Sequence, residues 1–278
     1  MTEFLSVDGG TIAYEVTGEG PLVVLAHGMG DSRASYRFVV PQLVTAGYRV
    51  ANVDLRGCGE SSTGWPAYSR TAIAGDLAAV IRHLGGPAVL VGQSISGGAA
   101  TIVAATEPEL VNGIVELAPF TRNQAIKLSD LRVKRYRAGM TRLLITGLLG
   151  SVKAWLSYLE VAYPGRRPAD WDAQMDRIRR EMSEPAKMKA MQKMGTSSAA
   201  DAGAHLTGVR CPALIIEGSQ DPDWGDPRAE GEAIVAAMPD ATLELIEGAG
   251  HYPHTQYPDE TSALILAFLS RTAEAKRA

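Results

Sequence analysis

Residues 89–98 read VLVGQSISGG and place two hydroxyls, Ser94 and Ser96, among small residues. A serine hydroxyl is a weak nucleophile at neutral pH and needs a base beside it to take its proton. A sharp turn from a strand into a helix can present such a hydroxyl. Crowding at that turn demands small residues two positions before and two positions after it. Gly92 and Ser96 flank Ser94 in this way, and Ser94 and Gly98 flank Ser96. The apolar run at 88–91 decides between them: the turn follows it at once, so the nucleophile is read at Ser94, with a helix opening at Ile95.

Acidic and histidine side chains that could orient and supply such a base stand further along. GSQDPDWGDP (218–227) holds Asp221, Asp223 and Asp226. Asp226, followed by Pro227, reads better as a helix N-cap with proline at the first helical position. GAGHYPH (248–254) holds His251 and His254, and the glycines before His251 let its loop carry an imidazole over the turn. Of the other histidines, His27 belongs to the turn LAHGMGDS (25–32), His83 to a helical stretch, and His205 to the end of a long insertion.

These groups need a frame that gathers loops at one end. PLVVLAHG (21–28), YRVANVD (48–54), PAVLVG (87–92), NGIVELAP (112–119), CPALIIEG (211–218) and ATLELIEG (241–248) read as strands. Helical patterns separate them. Residues 71–84 put Ile73, Leu77, Val80, Ile81 and Leu84 on one face, 99–106 run up to Pro108, one helix spans Asp226 to about Met238, and another spans 261–271. Alternating strands and helices predict a mainly parallel sheet covered on both faces. LSVDGGTIAYEV adds a hairpin, with strands at about 3–7 and 11–16 and Asp8 and Gly9 in its turn. That makes eight strands. The alternation fails over 120–210, which shows only helical faces: Val133, Tyr136, Met140, Leu143 and Leu144, then Trp171, Met175, Ile178 and Met182. The expected organisation is a core of residues 1–119 and 211–278 with an all-helical insertion at 120–210.

Composition narrows the classes. A chain of 278 residues, 46% hydrophobic and 21% charged, buries enough surface to fold without a disulfide or structural metal. A net charge of −4 leaves no footprint for nucleic acid. Cys58 and Cys211 form no CxxC or His/Cys cluster, which argues against structural zinc and for a reducing compartment. MTEFLSVDGG lacks the basic and apolar regions of a signal peptide, and no apolar run nears the ~20 residues needed to span a bilayer. The expectation is a cytoplasmic protein without a transmembrane segment.

With Gly92, Gln93, Ser94, Ile95 and Ser96 as a nucleophile elbow, the chain resembles the α/β-hydrolase superfamily over nearly its whole length. The insertion matches only in position and helical character. One departure stands out: the family usually has glycine where Ser96 stands. The resemblance implies an acid in the loop after the strand at 213–217, where Asp221 is the best match and Asp223 the next; Glu116 stands where some relatives carry theirs. It implies His251 as general base, with His254 as competitor. It implies an oxyanion hole from two backbone N–H groups, Met29 in the HGxG-like turn and Ile95 after the nucleophile. DLRGCGES (54–61) matches a family loop and is read as packing near the site. No metal and no organic cofactor is implied.

The insertion would lie over the site as a cap. It holds six of the nine methionines (Met140, Met175, Met182, Met188, Met191 and Met194) along with Trp155, Tyr158, Tyr163 and Trp171. Methionine adapts to irregular apolar shapes, so the implied partner is a small-molecule substrate with an apolar group. Residues 121–195 carry 16 Lys and Arg against 7 Asp and Glu. Most such runs are solvated faces; the other reading is a landing surface for an anionic substrate, a carrier protein or a membrane. The leading function is hydrolysis of an ester or lactone through an acyl-enzyme. The same parts serve carbon–carbon bond hydrolases, thioesterases, amidases and cofactor-free haloperoxidases, a lyase or isomerase using His251 as base, or a non-catalytic ligand receptor. Dehalogenases and epoxide hydrolases are disfavoured, because their relatives place Asp where Ser94 stands.

Overall fold

The computed structural model describes residues 1–123 and 127–275. The apolar runs form one sheet of eight strands: β1 (Glu3–Val7), β2 (Gly10–Thr17), β3 (Leu22–Ala26), β4 (Arg49–Val53), β5 (Ala88–Gln93), β6 (Val111–Leu117), β7 (Ala213–Gly218) and β8 (Ala241–Ile246). Their spatial order is β1-β2-β4-β3-β5-β6-β7-β8. The hairpin pairs β1 with β2, and β2 lies antiparallel to β4; every other pair is parallel. Central strands are buried throughout, whereas edge strand β8 alternates, as expected for burial on one face only.

Helices cover both faces: α1 (Val39–Thr45), α2 (Arg70–His83), α3 (Ile95–Thr106), α9 (Pro227–Ala237), α10 (Pro253–Gln256) and α11 (Pro258–Ala275). Strand residues sort between two cores by the two-residue period. Val24, Leu90 and Ile215 face Leu77 of α2, Ala99 of α3 and Ile234 of α9. Leu25, Val91 and Leu214 face Leu43 of α1 and Phe268 of α11. Helix α1, with a proline in its first turn, was not expected. Helix α11 starts at Pro258 rather than 261, because proline suits the first helical position and Asp259 and Glu260 complement the positive end.

Between β6 and β7 the described residues form helices and no strand: α4 (Lys134–Leu149), α5 (Val152–Ala162), α6 (Trp171–Met182), α7 (Pro185–Gly195) and α8 (Ala200–Gly203). On α6 the expected apolar face is buried in full. On α4 the expectation fails in part: Tyr136 is buried, but Leu144 faces solvent and Val133 precedes the helix. Among the ion pairs that join this insertion to the core, two lie at or near α6. Arg37 grips Asp170 with two bonds of 2.6 and 2.7 Å. Arg177 of α6 pairs with buried Asp31 and donates to Ser32 Oγ at 2.7 Å. Burial alone would raise the Asp31 pKa, but the Arg177 charge, together with His27 and the hydrogen bonds from Arg177 and the Ser32 N–H, outweighs it and holds the carboxyl below its usual range. Among the described residues no helix is long and apolar enough to cross a membrane.

Candidate active site

Strand β5 ends at Gln93 and α3 begins at Ile95, so Ser94 alone makes the turn, with φ +56° and ψ −118°. A side-chain-bearing residue rarely adopts this backbone, and it persists only where its surroundings hold it. Here they do: Ser94 N–H donates to Leu117 O at 2.9 Å, and Ser94 O accepts from Gly97 N–H and Phe120 N–H at 3.0 and 3.1 Å. Gly92 is obligatory, since a Cβ there would lie 2.2 Å from Ser96 O. Ser96 shows why serine can replace glycine after the elbow. Its buried Oγ donates to His27 O at 2.6 Å, tying the elbow to the turn that carries Met29.

Asp221 lies in the loop after β7 and His251 in the loop after β8. Their side chains meet, with His251 Nδ1 2.8 Å from Asp221 Oδ2. Asp223 approaches the same nitrogen at 3.5 Å. Its own N–H donates to Asp221 Oδ1 at 2.8 Å, and its carboxylate accepts from Tyr158 OH of α5 at 2.8 Å. The His251 backbone is held from two sides: its N–H donates to Ala162 O at 3.0 Å, and its carbonyl accepts from Gln93 Nε2 at 3.1 Å. Gly250 packs so closely that a Cβ would lie 2.1 Å from Ala162 O. The edge of the imidazole meets the Phe120 ring at 5.9 Å. Gln93 and Phe120 thus bring His251 beside the elbow. Among the described residues no hydrogen bond joins Ser94 Oγ to His251, a contact of the kind that tightens when substrate binds.

Electrostatics follow from this layout. Burial pushes the His251 pKa down, but the Asp221 and Asp223 carboxylates push it up more strongly, to about 9. Burial raises Asp223 to about 7 against the opposing pull of His251. Asp221, Asp223 and His251 form the one cluster with metal-ligand spacing among the described residues. The hydrogen bonds above occupy the Asp221 and Asp223 carboxylates and His251 Nδ1, so the cluster is already satisfied as a proton-handling network.

The competing residues have other places. His254 is buried, stacked on Tyr36 at 4.9 Å and paired with Ser35 Oγ at 2.8 Å, and burial drives its pKa down to about 3. His27 Nε2 accepts from Leu55 N–H at 3.1 Å, which leaves its proton on Nδ1, facing Gly28 O at 2.6 Å. His83 is exposed, and His205 Nδ1 sits 2.7 Å from Asp201 O. Asp226 caps α9 through Ala229 N–H at 3.1 Å. Glu116 is buried, which raises its pKa to about 8, and it accepts from Thr101 Oγ1 at 2.5 Å.

A cavity of about 480 Å³ opens over Ser94. Met29, Ile95 and Phe120 form its floor with Ser94; Tyr136, Met140, Leu143, Leu144, Met191 and Met194 line it from the cap. Three of the six cap methionines therefore reach the cavity, while Met175, Met182 and Met188 pack into the cap's own core with Trp155 and Tyr163. The Ile95 N–H is the first of the α3 amides without an intrahelical partner. Tyr158, Gln93 and Phe120 were not anticipated as site residues. Tyr158 lies 65 positions from Asp223, and no local signal reports such a pair.

The model of the alpha/beta hydrolase family matches residues 23–264. The chain belongs to that family. Over 281 residues this alpha/beta hydrolase is 29% identical to 2-(acetamidomethylene)succinate hydrolase of Mesorhizobium japonicum, covering 95% of this chain and 94% of that protein. It is 28% identical over 279 residues to 2-hydroxy-6-oxononadienedioate/2-hydroxy-6-oxononatrienedioate hydrolase of Burkholderia vietnamiensis, covering 95% of this chain and 94% of that protein. The enol-lactonase of Burkholderia xenovorans has the same fold, with a TM-score of 0.78 at 20% identity over 96% of this chain and 100% of that one.

Proposed function

We propose that this alpha/beta hydrolase is a cofactor-independent serine hydrolase acting on an ester or lactone carbonyl of a largely apolar small molecule. The observation that carries the reading is the 2.8 Å contact between Asp221 and His251, beside a serine held in a positive-φ turn. Ser94 attacks the carbonyl carbon while His251 Nε2 takes its proton. Asp221 fixes Nδ1 as the donor and stabilises the imidazolium. The N–H groups of Met29 and Ile95 receive the oxyanion, each worth roughly 3–4 kcal/mol in the transition state. The alcohol leaves with the proton from His251. Water, deprotonated by the same imidazole, then releases the acid and restores Ser94.

The apolar cavity lining supports an apolar acyl or alcohol group. The reading assigns residues 1–119 and 211–278 to the catalytic core and 120–210 to the cap. The test is intact-mass spectrometry after a fluorophosphonate probe, on wild type and Ser94→Ala side by side. The expected result is one adduct on wild type and none on the variant, followed by turnover in a panel of esters, lactones and thioesters. Folded wild type without an adduct overturns the reading, and an adduct that survives in Ser94→Ala moves the nucleophile to Ser96.

A further inference from the structure

Helix α4 carries Lys134, Arg135, Arg137 and Arg142 and no acidic residue. Its inner side, with Tyr136, Met140 and Leu143, lines the cavity. Its outer face runs at helical spacing from Lys134, Arg137 and Thr141 to Leu144, Ile145, Leu148 and Leu149, all of them exposed. Leu148 and Leu149 are 72% and 76% exposed. Aliphatic side chains this dense on one water-facing helix end mark a contact surface. Leu144 and Leu148 also line the cavity, as does exposed Leu131, so this surface is the rim of the cavity mouth.

Charge selects the occupant. A symmetric contact with a second copy through Leu144, Ile145, Leu148 and Leu149 alone covers four side chains, far short of a standard interface. Extending it along α4 would set Lys134 and Arg137 against leucines of the other copy and bury unpaired charge. A bilayer with anionic headgroups satisfies both ends at once: a helix lying flat puts its leucines into the acyl boundary and its cations among the phosphates. We propose that the outer face of α4 docks on an anionic lipid surface, with the cavity mouth turned toward the bilayer. The docking does not depend on the chemistry proposed for Ser94.

The test uses the full chain bearing Ser94→Ala, so that no lipid is consumed. Co-sedimentation is measured with vesicles of pure phosphatidylcholine and of equimolar phosphatidylcholine and phosphatidylglycerol. The chain is expected to pellet with the mixed vesicles, to stay in solution with the pure ones, and to be released by salt. Lys134→Ala with Arg137→Ala, which suit a helix, lower partitioning roughly 30-fold. Ile145→Glu with Leu149→Glu lower it at least about tenfold. In the wild-type background this second pair leaves hydrolysis of a soluble ester unchanged, because neither residue lines the cavity. No pelleting with mixed vesicles, equal pelleting with both, or variants that bind like the parent overturns the proposal. So does a dimer in light scattering that these substitutions dissociate, which would assign the face to a second copy.

Discussion

Asp223 offers the sharpest handle on the site, because it charges His251 without making the 2.8 Å bond that orients it. Its carboxylate lies 3.5 Å from Nδ1. At that separation two unit charges interact by roughly 1 kcal/mol in water and roughly 5 kcal/mol at an effective dielectric of about 20. At 1.36 kcal/mol per pKa unit, that is about 1 to 4 units of upward push on the imidazole. A base must be neutral to accept a proton, so activity should rise with pH as His251 loses its own, along a limb centred near 9. Asp223→Asn keeps the shape and an acceptor for Tyr158 OH while removing the charge. The limb in kcat/KM for an uncharged ester should then move down by at least about one unit. At pH 7 the variant should run closer to its own plateau than wild type does. Asp223 is itself only about half-ionised near pH 7 and gains its full charge above it, so the effect belongs to the neutral-to-alkaline range. A limb that stays within a few tenths of a unit would refute this account of the electrostatics.

Three further outcomes follow from contacts described above. Ser96→Ala leaves the buried His27 carbonyl without its donor and should cost roughly 1–3 kcal/mol in denaturant unfolding; if that bond aligns Met29, kcat falls while KM holds. Burial raises the Glu116 pKa from its ordinary 4.5 to about 8, so its contribution to stability is full at acid pH and is lost as pH rises through that window. Glu116→Gln should therefore match wild type near pH 4 and exceed it by roughly 2–5 kcal/mol at pH 9, read as melting temperature against pH. Arg177→Met strands the buried Asp31 carboxylate and should destabilise the fold by roughly 3–5 kcal/mol, with Asp31→Asn in the same chain recovering much of the loss.

The strands, the elbow at Ser94 and the Asp226 cap were legible because each is written in neighbouring residues: an apolar run, a small-residue turn, an Asp followed by Pro. The preference for His251 over His254 rested on the glycines before it and on family resemblance. What separates them physically is tertiary: His254 is sealed against Tyr36 and Ser35, while His251 faces two carboxylates. The Ser96–His27 bond and the Tyr158–Asp223 bond join segments 69 and 65 residues apart, and periodicity carries no such information. Helix α4 misled for another reason. Its leucines continue an apolar pattern, and such a pattern cannot tell a buried side from one turned to solvent.

The Ala162 carbonyl bears on how a substrate gets in and out. It receives the His251 N–H, and Gly250 lies flush against it. Displacing the end of α5 would therefore pull His251 away from Asp221. The C-terminal end of α5 is thus tied to the His251 loop, whereas on the cavity side Gln192 Nε2 of α7 donates to Gly147 O of α4 at 2.7 Å. On the proposed reading, an opening over Ser94 that leaves α5 in place also leaves His251 against Asp221.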